Sequence, residues 1–281
     1  MVETQESGRA RKPRRRWLQM SLRTLLVLVT LVSIGLGVIV NRAERQRRAV
    51  AAVRKMGFVR YDHDNPCLGP PSKLIGWLPR DYHDDVDDVC VFKMTDADLA
   101  HLRELRSLNG LTLGSESVTD AGLKHLRGLT ELQMLWLHST QVSNAGLEHI
   151  EKLTALRYLN LCRARLTDAG LVHIQGLTSL CSLNLSDTRV TDAGLFHLRK
   201  LTMLESLDLS GTLVTDRGLE GLHGLTRLED LRLRNTRVTD AGLESLASLS
   251  GLKRLELEGT PVTEAGVAKM KKQLPRCWIR R

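Results

Sequence analysis

The sequence predicts an α/β solenoid, in which short parallel strands alternate with short helices, preceded by one amino-terminal membrane-spanning helix. Two observations favour the solenoid. A five-residue motif, Thr-Asp-Ala-Gly-Leu, recurs every 24 residues, and the apolar residues between its copies keep the same positions. The membrane helix is indicated by 17 consecutive uncharged residues from Thr24 to Val40, close to the length that a helix needs to cross a bilayer.

The 24-residue motif fixes the repeating unit. One unit cannot bury its own apolar face, whereas stacked units share a continuous core. Leu183 and Leu185 alternate with polar residues, which predicts a short strand, and equivalent strands of successive units should form one parallel sheet. A degenerate copy occupies Thr95 to Leu99. The other copies begin at Thr119, Ser143, Thr167, Thr191, Thr215, Thr239 and Thr263.

Each motif residue suggests a structural role. Thr191 or Asp192, and their equivalents, are suited to cap the helix that follows. Glycine in a first helical turn costs about 0.5–1 kcal/mol relative to alanine. It occupies that position in seven of eight units, so adjacent units should approach closely there. A column of threonines is expected to hydrogen-bond loop backbone between units: Thr140, Thr188, Thr212, Thr236 and Thr260.

The leucine pattern resembles a known family. Leu-x-x-Leu-x-Leu-x-x-Thr is similar to the leucine-rich repeat, with threonine where asparagine or cysteine is usual. The resemblance covers about residues 84–281 and implies a parallel sheet on the concave side with short helices on the convex side. The units also resemble those of eukaryotic F-box leucine-rich-repeat proteins, and the basic leader resembles bacterial membrane-bound ones. No F-box segment is seen, so no ubiquitin-ligase role is expected. The pattern is read at Leu180–Thr188, Leu204–Thr212, Leu228–Thr236 and Leu252–Thr260.

The amino-terminal region predicts a single-pass anchor. A cleaved signal peptide is disfavoured, because the apolar run is long and no small-x-small site follows it. Basic residues tie at seven on each flank, yet a short basic tail favours an inside amino terminus and an extracytoplasmic repeat domain. The predicted segments are a basic cytoplasmic tail (1–16), a transmembrane helix (17–40), a juxtamembrane helix (41–57), an amino-terminal cap (58–94), and leucine-rich repeats with a carboxy-terminal cap (95–281).

Smaller features fill in the ends of the predicted domain. The juxtamembrane helix either lies along anionic headgroups or forms a solvated stem. Residues 58–61 suggest a strand, and residues 86–91 fit a first repeat two residues shorter than the others. Residues 277–279 suggest a closing strand. Cys67 and Cys90 are either a disulfide or two free thiols.

Charge and motif content argue against several functions. The net charge of +9 arises at the ends, because residues 1–60 carry +11 and residues 269–281 carry +6, leaving −8 between them. Such a body is not expected to bind nucleic acid.

No catalytic or cofactor motif is found, so an enzyme with a small-molecule substrate is not expected. Neighbouring packed helices lie roughly 8–10 Å apart, too far for ligands about 2.0–2.1 Å from one zinc ion. No metal is therefore expected at His101, His125, His149, His173 and His197.

The predicted concave face is the candidate binding surface, because solenoids usually offer such a surface to partners. An adjacent tryptophan and tyrosine suggest an interface anchor, and the charges that follow suggest a selectivity patch. We therefore expect a membrane-anchored module that binds a protein or peptide. The alternatives are a structural envelope scaffold and a cytosol-facing adaptor. The candidate residues are Met134, Trp136, His138, Tyr158, Asn160, Asn184, Asp208, Asp230, Arg232, Arg234, Arg254 and Glu256.

Overall fold

The computed structural model describes residues 22–55, 57–61, 86–91 and 94–281. The chain divides into two compact units after Arg42. Cys67, which was considered for a disulfide, lies outside the described residues, whereas Cys90 carries a free thiol.

The first helix, α1, spans Leu22–Arg54 without a break at residue 41, where two helices were expected to meet. Its apolar side chains from Leu26 to Val40 are exposed. In the described part of the chain it is the one helix long and apolar enough to cross a membrane, a test that a signal sequence at this position also meets.

The last turns of α1 belong to the second unit and close the repeat core. Ala49, Val50 and Val53 are buried among the core side chains. Arg45 Nε lies 3.7 Å from Glu104 Oε2 in the first repeat. The apolar side of this segment therefore seals the end of the solenoid, a role that neither the headgroup nor the stem interpretation included.

The strands of the described residues form one sheet in chain order. The first two strands are antiparallel, and every later pair is parallel. Val89 pairs with Leu111 and Leu111 with Leu135, so the first repeat is two residues short, as predicted. The strand predicted at 58–61 is present and begins one residue earlier, and the strand predicted at 277–279 is present one residue further along the chain. The strands are β1 Gly57–Tyr61, β2 Val86–Val91, β3 Gly110–Leu113, β4 Met134–Trp136, β5 Tyr158–Asn160, β6 Ser182–Asn184, β7 Ser206–Asp208, β8 Asp230–Arg232, β9 Arg254–Glu256 and β10 Trp278–Arg280.

Short helices return the chain along the other side of the core. Most are single turns, because about ten residues separate each motif from the next strand. The last one is longer and ends just before Pro275. The α-helices are α2 Asp120–Leu123, α3 Asn144–Leu147, α4 Asp168–Leu171, α5 Asp192–Leu195, α6 Asp216–Leu219, α7 Asp240–Leu246 and α8 Glu264–Gln273, and 3₁₀ turns occupy Asp98–Glu104, Lys124–Leu126, Phe196–Lys200 and Glu220–Leu222.

The core is an aliphatic column that repeats with the units. Strands β3 to β9 each contribute an inward leucine, β2 contributes Val89 and Val91, and the helical turns contribute the apolar side chains of their inward stripe. These side chains are almost completely inaccessible to water, which is where the hydrophobic stabilisation of the fold arises. In one unit the buried set is Leu180, Leu183, Leu185, Val190, Leu195, Leu198 and Leu201.

The motif aspartates link successive units, which corrects the expectation that they cap their own helices. Asp192 Oδ1 accepts from the backbone N–H of Thr215, 2.7 Å away, and its Oδ2 accepts from the Thr215 hydroxyl at 2.6 Å. In most units the cap is the motif hydroxyl instead: Thr191 accepts from the backbone N–H of Ala193, although Thr167 and Thr215 form no such bond. A carboxylate is preferred because it satisfies two donors of the next turn at once. The same link joins Asp96 to Thr119, Asp120 to Ser143, Asp168 to Thr191, Asp216 to Thr239 and Asp240 to Thr263. Asn144 also bonds to Thr167, but its Nδ2 donates to the hydroxyl while its Oδ1 accepts from the backbone N–H.

This aspartate–threonine ladder explains the motif glycine. A Cβ built on Gly194 would lie 2.4 Å from Asp168 Oδ1. The same contact recurs at Gly218 with Asp192 and at Gly242 with Asp216. The close approach of adjacent units at the glycine is thus confirmed, and the group that approaches is the linking carboxylate.

The threonine column has a different partner from the predicted one. Thr188 Oγ1 donates to the carbonyl of Leu185 at 2.7 Å, and Thr212 Oγ1 donates to that of Leu209 at 2.6 Å. Each bond closes a turn within its own unit, so the expected bonds between units were wrong. The hydroxyl is buried directly beneath its own turn, where the carbonyl three residues earlier is the nearest acceptor.

A residue with positive φ, in the left-handed region, follows each of the strands β4 to β9. Arg163 has φ 60° and Asp187 has φ 57°, in the region that L side chains adopt reluctantly. Gly211 and Gly259 occupy the same repeat position with φ 69° and 71°. The turn is therefore dictated by the fold, and glycine is used at only some copies of it.

Candidate functional site: the concave face

The candidate residues project from the sheet face opposite the leucine core. In β4 to β9 the central residue is buried, and the residues on either side of it face outward. Ten of the twelve predicted residues occupy these outward positions. The other two, His138 and Arg234, each lie two residues beyond the outward residue that ends a strand. The structure therefore brings all twelve to one face.

The strand register aligns the outward residues in two rows. Because paired strands of a parallel sheet lie about 4.8 Å apart, each residue has its counterpart in the next unit as a close neighbour. The first row runs Met134, Tyr158, Ser182, Ser206, Asp230, Arg254, and the second runs Trp136, Asn160, Asn184, Asp208, Arg232, Glu256.

One half of this face is a shallow, uncharged depression. Trp136 and Tyr158 are 42% and 43% exposed on neighbouring strands, although large aromatic side chains are usually well buried. Asp208 and Arg232 border the depression at its far end. We call it the concave trough and define it by Trp136, Tyr158, Asn160, Ser182, Asn184 and Ser206. Ser182 and Ser206 were not among the twelve candidates.

The asparagines of the trough are oriented by bonds to their own turns. Asn160 Oδ1 accepts from the backbone N–H of Cys162 at 2.9 Å. Asn184 Oδ1 accepts from the backbone N–H of Ser186 at 2.8 Å and from its hydroxyl at 2.7 Å. With the oxygen held in this way, the Nδ2 group of each amide is the part left to face the trough.

The other half of the face is densely charged. Arg232 is central: its guanidinium lies 3.1 Å from Asp230, 3.6 Å from Glu256 and 3.7 Å from Asp208. Arg254 also pairs with Asp230, at 3.0 Å. One arginine therefore contacts three carboxylates, one on its own strand and one on each neighbouring strand.

Two residues beyond the predicted set complete this charged network. Arg234 lies between Glu256, 2.8 Å away, and Glu258. Glu258 in turn pairs with Arg280 of β10 at 2.6 Å. Arg280 was missed because only the parallel pairing of β10 with β9 places it beside Glu256. The four arginines and four carboxylates balance, so this half presents paired charges rather than a field of one sign.

The histidine column lies on the helical side, as expected. His149 Nδ1 lies 2.8 Å from an Arg127 nitrogen, and His173 Nδ1 lies 3.4 Å from Glu151. Burial, followed by the nearby Arg103 charge, lowers the pKa of His125. Among the residues described, no group of three or more histidine, cysteine, aspartate or glutamate side chains is arranged to hold a metal ion.

These features define a solenoid repeat protein with a parallel sheet on one side and short helices on the other. The family described as Leucine Rich repeat matches residues 176–198, 200–222 and 225–247. The crystal structure of internalin C2 from Listeria monocytogenes is similar, with a TM-score of 0.54 and 23% identity over 70% of this chain and 85% of that chain. No curated protein sequence matches the chain significantly. Residues 176–247 therefore carry leucine-rich repeats, and the repeat domain around them has the fold of leucine-rich-repeat proteins.

Proposed function

We propose that this protein is a membrane-anchored binding module that takes a protein or peptide on its concave face. One observation carries the proposal: Trp136 and Tyr158 are both exposed, at diagonal positions of the neighbouring strands β4 and β5, and both line the same depression. Exposed aromatic pairs are typical of interface anchors, since they contribute large apolar area with few rotatable bonds. The fold supports this reading, because leucine-rich-repeat domains are typically binding scaffolds without enzymatic activity.

Membrane attachment rests on α1. The side chains from Leu26 to Val40 are exposed on every side of the helix, which costs free energy in water and none in a bilayer. We propose that this part spans the membrane once, with the amino terminus in the cytoplasm and the repeats outside it.

The concave site is tested by capturing partners with the full-length, tagged protein in its native membrane. Trp136→Ala combined with Tyr158→Ala should abolish cross-linking to any partner seen with the wild type. The matched control is Val172→Ala with Phe196→Ala, since those side chains are 40% and 41% exposed on the helical side. Partners that survive the concave substitutions would show that binding occurs elsewhere. A wild-type protein without partners would favour the structural scaffold.

The orientation is tested separately by protease accessibility in intact cells whose outer envelope has been opened. Digestion of the repeat domain from outside is the expected result. Complete protection until the inner membrane is lysed would instead support the cytosol-facing adaptor.

A further inference from the structure

We propose that the concave trough binds the main chain of an extended, uncharged peptide segment, with Asn160 and Asn184 donating hydrogen bonds to its carbonyl oxygens. An apolar side chain of that segment would pack on Trp136 and Tyr158. The inference deepens the proposed function and depends on it, because it names the chemistry of the partner at the same site.

The hydrogen-bonding character of the trough is that of a donor. Asn160 and Asn184 have their Oδ1 atoms engaged with backbone N–H groups of their own turns. Each Nδ2 group carries two N–H donors, and no bond from them to another described residue is found. A ligand that covers these amides must offer acceptors, because a donor left without a partner on burial costs about 1–3 kcal/mol.

The spacing of the donors suits an extended chain. Asn160 and Asn184 are register partners on β5 and β6, which places them about 4.8 Å apart across the sheet. An extended polypeptide advances roughly 3.3 Å per residue. Carbonyl groups on one side of an extended chain recur at every second residue, roughly 6.6 Å apart, and the rotatable amide side chains can reach two of them, so no turn in the ligand is needed.

The lining of the trough selects against charge in that segment. Between Tyr158 and Asp208 the outward side chains are uncharged amides and hydroxyls. Asp208, the nearest carboxylate, accepts from the backbone N–H of Ser210 and lies 3.7 Å from Arg232. A charged ligand side chain would lose its hydration here without gaining a free counter-ion, which is unfavourable.

The aromatic end fixes the position of the segment along the trough. Trp136 and Tyr158 offer apolar surface next to the amides, so one apolar ligand side chain can pack there while the adjoining main chain reaches Asn160 and Asn184. Such a combination of an apolar anchor and main-chain hydrogen bonds is how extended peptides are commonly recognised.

The experiment uses the full-length protein in lipid nanodiscs and a display library of random linear peptides. Peptides that bind the wild type but not the Trp136→Ala, Tyr158→Ala protein are collected, and their affinities are measured with two further variants. Asn160→Asp and Asn184→Asp each keep the oxygen that accepts from the turn and replace the donor by an acceptor. Gln133→Glu makes the same amide-to-carboxylate change on an exposed side chain just before β4 and is the control.

We expect the collected peptides to be rich in apolar and uncharged residues and to bind each asparagine variant at least tenfold more weakly, with Gln133→Glu unchanged. Asn184→Ser, which retains an acceptor for the turn but no amide donor, should weaken binding similarly and guards against an effect of the new charge alone.

Three results would overturn the inference. Aromatic-dependent peptides whose affinity ignores the asparagines would refute the amide contacts and leave the proposed function standing. If every peptide that binds the wild type also binds the Trp136→Ala, Tyr158→Ala protein, the concave site itself is refuted. If no peptide is enriched and neutral oligosaccharides, measured separately with the same variants, bind in a way that depends on Trp136 and Tyr158, the trough belongs to another class of ligand.

Discussion

The aspartate–threonine ladder makes a prediction that separates it from ordinary helix capping. Asp192 gives both carboxylate oxygens to Thr215 of the next unit, at 2.7 Å from the backbone N–H and 2.6 Å from the hydroxyl. Asn144 occupies the same position two units earlier and still forms both bonds, with Nδ2 donating to the Thr167 hydroxyl. Asp192→Ala removes the link, whereas Asp192→Asn should preserve a weaker version of it.

The magnitudes follow from the bonds. A hydrogen bond to a charged group contributes about 1.5–3 kcal/mol, so two would contribute roughly 3–6 kcal/mol if fully buried. The pair is partly buried, and water can replace some of the lost contacts, so we expect Asp192→Ala to lower the free energy of unfolding by about 2–4 kcal/mol. Asp192→Asn exchanges charged bonds for neutral ones and should cost only about 1 kcal/mol.

The assay is guanidinium unfolding of the full-length protein in detergent, followed by far-ultraviolet circular dichroism. Thr215→Val removes the hydroxyl donor, and its combination with Asp192→Ala should be less damaging than the sum of the two. Additive losses would show that Asp192 does not act through Thr215. Equal losses for Asp192→Ala and Asp192→Asn would likewise contradict the ladder.

Three further predictions concern the units and their turns. Gly194→Ala should lower the free energy of unfolding by about 1–3 kcal/mol because its Cβ meets Asp168 Oδ1; Gly176→Ala, with no atom within 4 Å, is the control in the same denaturant assay. Arg163→Gly should raise the melting temperature, because a non-glycine residue at positive φ costs about 1 kcal/mol or more and glycine does not. Arg163→Ala keeps a side chain at this φ and should not raise it. The pKa of His125 is lowered from 6.5 in the folded protein, so stability should be complete above about pH 6.5 and decline below it. Urea midpoints on either side of that pH should show a smaller decline for His125→Gln.

The leucine spacing and the 24-residue period were sufficient to predict the solenoid. A strict period leaves only one way for the inward leucines to share a core, which is to stack the units in order. The same reasoning found the shortened first repeat, because Val89 and Val91 match the leucine positions only if the first unit has 22 residues instead of 24. It also placed the candidate residues on one face, since residues on either side of an inward leucine must point outward.

The sequence did not reveal which groups join the units. Asp192 lies beside a helix start, so capping was the local explanation, and its true partner is 23 residues away. A one-dimensional pattern shows that a residue recurs but does not show the distance between copies. The sequence also did not reveal where the apolar side of the juxtamembrane segment packs: Ala49, Val50 and Val53 form a stripe that is buried against the open end of the solenoid.

The sequence by itself determined the period, the strand order, the buried leucines and the outward rows, because each follows from local alternation repeated in register. Only the tertiary structure decided how the concave face divides into an uncharged trough and a half of paired charges. The charges of Asp208, Asp230, Arg232, Arg234 and Glu256 are individually visible in the sequence, but their mutual pairing depends on side-chain distances across strands and on the closing strand that carries Arg280. The pairing of these charges arises from three-dimensional contacts that no linear spacing encodes, whereas the asparagine oxygens of the concave trough are held by local bonds to residues two positions further along the chain.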